Sequence, residues 1–141
     1  MATPNQIVNH GFPFGIFTFT YALSGTFADD AAIATTTGKV VALDTSAAGT
    51  VKLAGDGDEI FGRVYVAERR AVLGINVASV ARKFKEKVPT AAGYAAPAIG
   101  DRVIGGGNGT VKKATANSGA GVPSDPVVIE VGNGFVVVEY L

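Results

Sequence analysis

The sequence feature that most constrains the fold is a Gly/Asn-rich turn in the stretch GDRVIGGGNGTVKKA, residues 100–114. A short valine-containing stretch leads into Asn108 and Gly109, two residue types that tolerate positive φ angles, and a second such stretch follows. A phosphate-binding loop would end in Gly-Lys-Ser/Thr and open a helix, whereas Gly109 is followed by Thr110 and Val111. The pattern therefore predicts a β-hairpin and not a nucleotide site.

The same motif occurs a second time, in GKVVALDTSAAGTVKLA at residues 38–54. Val41 of this copy aligns with Val103 of the other, and both copies continue with Gly-Thr-Val-Lys. Self-similarity usually means repeated supersecondary structure, although two copies are too few for a solenoid, which needs about three. Two unrelated hairpins with similar turn chemistry would give the same pattern. On either interpretation, each copy predicts a hairpin.

Other segments also predict strands. Residues 60–67 carry β-forming residues on both faces, which indicates a strand buried on both sides or placed at a subunit contact. The chain is then predicted to turn at Arg69-Arg70 and return, and residues 126–141 predict a last hairpin. Residues 77–88 fit a helical stripe or a strand, and we expect a strand because the preceding segment predicts one. The chain is therefore predicted to be all-β, a small single-domain barrel or sandwich built of hairpins.

The N-terminal stretch differs in composition from the rest of the chain. Five of the eight phenylalanines lie within the first 27 residues, and no Lys or Arg precedes Lys39, which argues against a secretory signal. We expect residues 1–24 to form an extended aromatic arm and residues 25–141 to form the β-rich domain. Apolar aromatic surface of this kind marks an interaction site. The alternative is that residues 17–21 form the first core strand.

Composition excludes several function classes. The formal net charge is +0 and the pI is about 6.6, which argues against a dedicated nucleic-acid binder. No cysteine is present, so disulfides and thiolate metal sites are excluded, and no apolar run approaches the length of a membrane helix. The single histidine, His10, has no nucleophile or carboxylate suggested beside it, and the acidic segment at residues 55–62 fits a polar turn better than a calcium loop. We therefore expect no enzyme activity, no cofactor, no metal and no membrane contact.

The segment RKFKEK at residues 82–87 concentrates positive charge. It fits a solvated strand edge that discourages further strand pairing. It also fits a basic patch that docks on an acidic protein surface.

These motifs together resemble the capsid decoration, or cement, proteins of tailed bacteriophages. The resemblance rests on a Gly-x-Val-Val-x-Leu strand, a Gly-x-Val turn, a GD-x-I-x-G strand start and a late GD-x-V with a Gly-rich hairpin. These motifs fall at residues 38–43, 49–51, 57–62 and 100–103, so that the resemblance covers about residues 36 to 115. It implies a small, β-tulip-like domain that trimerises on the outer capsid surface and clamps neighbouring major capsid subunits.

The expected partners are therefore the major capsid protein and further copies of this chain, in a virion assembled in the host cytoplasm. A carbohydrate-binding or fibre-type β module is the alternative, and a small β-barrel hydrolase is disfavoured because its catalytic groups are missing. Candidate contacts to the capsid or between subunits are Phe12, Phe14, Phe17, Phe19, Tyr21, Arg82, Lys83 and Lys85.

Overall fold

The computed structural model describes residues 18–115 and 126–140. These residues form ten β-strands, one short α-helix and one 3-10 turn. The strands are β1 (Thr18–Leu23), β2 (Val40–Leu43), β3 (Thr50–Leu53), β4 (Gly62–Arg70), β5 (Ile75–Ala81), β6 (Phe84–Pro89), β7 (Val103–Gly107), β8 (Thr110–Lys113), β9 (Val127–Val131) and β10 (Phe135–Tyr140). The helix α1 spans Asp30–Ala34 and the 3-10 turn spans Ala71–Leu73. The prediction of an all-β protein is confirmed.

The first five strands close a barrel in the order β1-β3-β2-β4-β5. β1 closes the barrel, since it runs antiparallel to β5, with Thr18 opposite Ala81, and parallel to β3, with Leu23 opposite Val51. A fully buried valine or leucine contributes about 1.5–3 kcal/mol relative to an exposed one, so this interior is a major source of stability. Its buried residues are Leu23, Ile33, Val41, Val51, Val64, Ala78 and Val80.

The last five strands repeat this circuit. β6, β10 and β9 form one sheet, and β7 and β8 form another. Two isolated β-bridges join these sheets. Thr90, just after β6, pairs in parallel with Val111 of β8, and Arg102, just before β7, pairs antiparallel with Val127 of β9. The resulting order, β6-β8-β7-β9-β10, is that of the first barrel with every strand moved five places along the chain.

The two motif copies found in the sequence pair in the same register. Ala42 lies opposite Lys52 in the β2–β3 hairpin, and Ile104 lies opposite Lys112 in the β7–β8 hairpin. The prediction of two hairpins is confirmed, and their similarity is a repeat and not a coincidence of turn chemistry.

The repeat extends beyond the hairpins to backbone details that the sequence does not show. Gly38 N donates to Val64 O at 2.9 Å, and Gly100 N donates to Val128 O at 2.8 Å. A β-bulge follows Val64 in β4, and another follows Val128 in β9. A shared bulge at a shared position marks common construction, since a bulge sets local twist and strand direction. We name residues 18–81 the first unit and residues 84–140 the second unit.

The two units share a hydrophobic core where they meet. Val40 and Ala54 of the first unit belong to one buried cluster with Val103 and Val111 of the second. The backbone joins them as well, because Val40 N donates to Gly109 O and Gly109 N donates to Ala54 O, both at 2.9 Å. The units therefore fold against each other as one structure, consistent with the predicted single domain.

Turn chemistry agrees with the predictions made for the hairpins. Asn108 has φ +49° and Gly109 has φ +74°, the left-handed pair expected for a tight hairpin turn. The predicted last hairpin is β9–β10. Residues 77–88 are not helical, and they form the end of β5 and most of β6, with a bend at residues 82–83 between the two strands. Helix α1 was not predicted. Asp29 Oδ1 accepts a hydrogen bond from Ala32 N at 2.8 Å and so caps this single turn.

The structure corrects the predicted N-terminal arm. Residues 18–23 are strand β1 of the closed barrel, so an arm spanning residues 1–24 is wrong from residue 18 onward. The alternative, a first core strand, is correct for Tyr21, whose ring packs edge-on against Phe61 with 5.3 Å between centroids. Residues 1–17 lie outside the described part of the chain.

The structure also corrects the strand predicted at residues 60–67. Ile60, Gly62 and Val64 are buried as expected. The bulge after Val64 then shifts the alternation, and both Tyr65 and Val66 are about half exposed. Burial on both sides is therefore wrong for the second half of this strand.

Candidate interaction surface

The two units differ in the hairpin that ends each of them. In the second unit, β9 and β10 are joined by Gly132–Gly134. In the first unit, residues 68–76 occupy the same place and continue the strands into a 3-10 turn closed by Gly74, at φ +67°. We name residues 68–76 the hairpin tip. Since the second unit folds without such a tip, the barrel architecture does not require one.

The hairpin tip presents apolar side chains to solvent. Val72 is 100% exposed, Leu73 is 65% exposed and Ile75 is 44% exposed. Turns of this kind are normally built from Gly, Asn, Asp, Ser or Pro, so the turn itself does not require two adjacent branched aliphatic residues. Exposed apolar residues grouped at one place indicate a contact surface.

The charged residues of the hairpin tip are paired within the chain. Arg70 Nε lies 2.8 Å from Glu68 Oε1, and Arg69 Nη1 lies 3.9 Å from Oδ1 of Asp30, the first residue of helix α1. Exposed ion pairs of this kind contribute about 0–1 kcal/mol. Any free energy of binding that the tip supplies therefore comes mainly from its apolar residues.

The structure separates the predicted aromatic contacts. Phe19 lies opposite Val80 in the β1–β5 pair, so the two side chains lie on the same face of the sheet. Phe19 is near the start of β1, however, and is 59% exposed. Tyr21 is partly buried against Phe61 and helps to fill the first barrel. The other predicted contacts in this stretch, Phe12, Phe14 and Phe17, lie outside the described residues, as does His10.

Arg82 is positioned by contacts to Phe61 of the first unit. Its Nε donates to Phe61 O at 2.7 Å, and its guanidinium lies over the Phe61 ring, 3.6 Å from the centroid. This stacking is a cation–π interaction. With Leu43 and Ile60, Arg82 lines a cleft of about 420 Å³.

The two predicted lysines also have neighbours in the chain. Lys83 Nζ lies 4.9 Å from the centre of the Tyr140 ring, and Lys85 stands opposite Glu139 in the β6–β10 register. β6 pairs with β10 along its length, so these charges do not protect a free edge on that side. Arg82 and Lys83 both lie near Tyr140, whereas Lys85 stands opposite Glu139.

The acidic segment at residues 55–62 forms a polar turn that links the units, as its Gly and Asp content predicts. Asp58 Oδ2 accepts from Gly55 N at 2.8 Å and lies 3.2 Å from Lys52 Nζ. Asp56 Oδ1 lies 2.5 Å from Lys112 Nζ of the second unit, and this hydrogen bond lowers the pKa of Asp56. Across residues 18–115 and 126–140, no group of three or more His, Cys, Asp or Glu side chains is arranged to hold a metal ion.

Residues Val72 and Leu73 were missed as contacts at the sequence level. The stretch AVLG follows Arg69-Arg70, where a turn was predicted, and two branched aliphatic residues at a turn are the signal that identifies them.

Comparisons with known proteins add no family assignment, since neither a family model nor a curated protein matches this chain. No helix in the described part of the chain has the length and apolar character needed to cross a membrane.

Proposed function

We propose that this protein is a non-enzymatic structural protein of a phage virion. It binds the outer surface of an icosahedral capsid, as a homotrimer, and stabilises contacts between major capsid subunits. The observation that supports this proposal is the hairpin tip, an apolar projection that the first unit has and the second unit lacks. The sequence resemblance to capsid decoration proteins supplies the identity of the partner.

The fold suits an attachment role. A closed barrel has no free strand edges, and the hydrophobic core shared by the two units fixes the second unit against the first. The tip therefore projects from a rigid base, which reduces the conformational entropy lost on docking. Val72 and Leu73 would each contribute about 1.5–3 kcal/mol if they were fully buried in a capsid pocket.

Trimerisation would multiply this attachment. The three tips of one trimer would bind a symmetric capsid surface with avidity, provided that all three reach their sites at the same time. The half-exposed Tyr65 and Val66 on β4, with Phe19 on β1, supply apolar surface for contacts between copies. Light scattering at micromolar concentration is expected to give the mass of a trimer, and a mass that stays at 14.3 kDa at all concentrations would contradict self-association.

The direct test uses capsids. Heads of its phage, prepared without this protein, are mixed with the purified chain and sedimented. We expect saturable binding and a higher temperature of DNA release from the decorated heads. A protein that stays in the supernatant, yet binds glycans on a carbohydrate array, would instead support the carbohydrate-binding alternative.

A further inference from the structure

A second feature of the surface is a cleft of about 360 Å³ where the two units meet. Its first-unit wall comes from Thr37, Lys39 and Arg63, and its second-unit wall includes Lys87 and Phe135. We name it the junction cleft. Three of these five side chains are cations, and they come from both units.

Within the described residues, none of these three cations lies within 4.0 Å of a carboxylate oxygen. Five other cations lie within 4.0 Å of an Asp or Glu oxygen, namely Lys52, Arg69, Arg70, Lys112 and Lys113. Within the described residues, no such ion pair is formed by Lys39, Arg63 or Lys87. A carboxylate does act on Arg63 from beyond ion-pair distance, that of Glu86. The junction cleft therefore collects positive charge in a protein whose formal net charge is +0.

Arg63 is fixed in an orientation that leaves its outer nitrogens available. Its Nε donates to the Lys87 carbonyl oxygen at 2.9 Å, which spans the two units. Its two Nη atoms have no acceptor among the described residues. Gly38 leaves room beside them, since a Cβ at that position would lie 3.3 Å from Nη2. Burial lowers the pKa of Arg63, opposed by the charge of Glu86, which means that the guanidinium has lost water without gaining a close anion.

The neighbouring groups complete a donor set. Lys87 Nζ lies 4.4 Å from the centre of the Phe135 ring, so its ammonium group is placed at the wall of the cleft. The Thr37 hydroxyl has no partner among the described residues and can donate. Planar guanidinium, ammonium and hydroxyl donors around one space are the groups that bind phosphate-type oxyanions.

The structural repeat shows that the strand order of a unit does not depend on the charges of Lys39 and Arg63. The position of Lys39 in the first unit is that of Asp101 in the second, and the position of Arg63 is that of Val127. Both units have the same strand order, although different residues occupy these positions. Lys39 and Arg63 thus have no cationic counterpart at the matching positions of the second unit, as expected for a binding site and not for a scaffold requirement.

We propose that the junction cleft binds a small, multiply charged oxyanion of the phosphate type, coordinated by Arg63, Lys39 and Lys87. The bound anion would join the two units by neutralising charges from both. This site is independent of capsid attachment, because it lies between the units and includes no residue of the hairpin tip.

The test uses the full-length protein with pyrophosphate as the probe and sodium chloride at matched ionic strength as the reference. We expect a melting temperature raised by several degrees and one bound pyrophosphate per chain by calorimetry, since a ligand that binds only the folded state must stabilise it. No difference between pyrophosphate and chloride would overturn the site. So would binding of an acidic peptide in the absence of any pyrophosphate binding, which would indicate a protein partner.

Variants locate the site. We expect Lys39→Gln and Lys87→Gln each to weaken pyrophosphate binding at least tenfold, while the control Lys83→Gln, whose ammonium lies near Tyr140, binds as the wild type does. Arg63→Gln is expected to abolish pyrophosphate binding, but it also removes the hydrogen bond from Arg63 Nε to the Lys87 carbonyl oxygen. If Arg63→Gln fails to fold, the two lysine variants test the site. Unchanged affinity in both lysine variants would overturn the assignment.

Discussion

Gly105 in β7 lies so close to the carbonyl oxygen of Gly55 that no side chain fits between them. Its backbone N also donates to Asp58 O at 2.8 Å, so this contact joins the β7–β8 hairpin to the acidic turn of the first unit. The same hairpin position in the first unit is Leu43, which is half exposed. One position of the repeat thus requires glycine in one unit and tolerates leucine in the other.

This contrast predicts the outcome of a matched pair of substitutions. Gly105→Ala should destabilise the protein by about 1–3 kcal/mol, because a backbone shift is needed to admit the methyl group. Leu43→Ala should change stability by no more than about 0.5 kcal/mol, since it removes exposed surface. Chemical denaturation measures both values. Equal effects of the two substitutions would contradict the close junction between the units.

Two N-terminal truncations test the role of β1. A protein starting at residue 18 retains all strands of the first barrel and is expected to melt cooperatively. A protein starting at residue 25 lacks β1, so β5 and β3 lose their shared neighbour and the barrel opens over Val51 and Val80. We expect this shorter protein to show no cooperative melt. Cooperative melting at the wild-type temperature would show that β1 is dispensable.

The sequence reveals the repeat only where the two copies need the same residue. Gly49 and Gly109 both have positive φ, and Val41 and Val103 both fill a barrel interior, so these positions remain recognisable. Elsewhere the shared feature is backbone pairing, which many residues can supply. Leu23 and Thr90, for example, occupy the same bridge to the following hairpin and have no side-chain chemistry in common.

The functional surfaces were harder to predict, for two physical reasons. A β-bulge shifts the alternation of a strand by one residue, so Val66 appeared to share the buried face of Val64. The hairpin tip looked like an ordinary turn at Arg69-Arg70, because sequence alone does not show how far a hairpin extends beyond its barrel. Comparison of the two units was needed to show that the tip is an addition.

Acid should unfold the protein through carboxylates that the fold stabilises in their charged form. The hydrogen bond from Lys112 lowers the pKa of Asp56, and the backbone N–H of Ala98 lowers that of Asp101, from an ordinary value of 3.8. A lowered folded-state pKa gives stability that is present above the unfolded pKa and is lost as pH falls through the folded one. We therefore expect the melting temperature to be steady from pH 7 to 5 and to fall below about pH 4.

The variant Asp56→Asn provides the control for this pH dependence. It removes one of the responsible carboxylates and the ion pair to Lys112, so it should be less stable at pH 7 and lose less stability on acidification. The measurement is the melting temperature of both proteins between pH 7 and pH 2. A wild-type melting temperature that rises or stays constant below pH 4 would contradict the assignment.

The most direct measurement of the central claim exchanges one hairpin end for the other. Residues 68–76 are replaced by Gly-Asn-Gly, the sequence that joins β9 to β10, and the protein is assayed by sedimentation with undecorated heads. We expect an unchanged fold and melting transition, since the second unit already closes this way, and at least a 100-fold loss of affinity per site. That factor corresponds to the loss of about 3 kcal/mol from Val72 and Leu73 together. A folded variant that binds the heads as tightly as the wild type would contradict attachment through the hairpin tip.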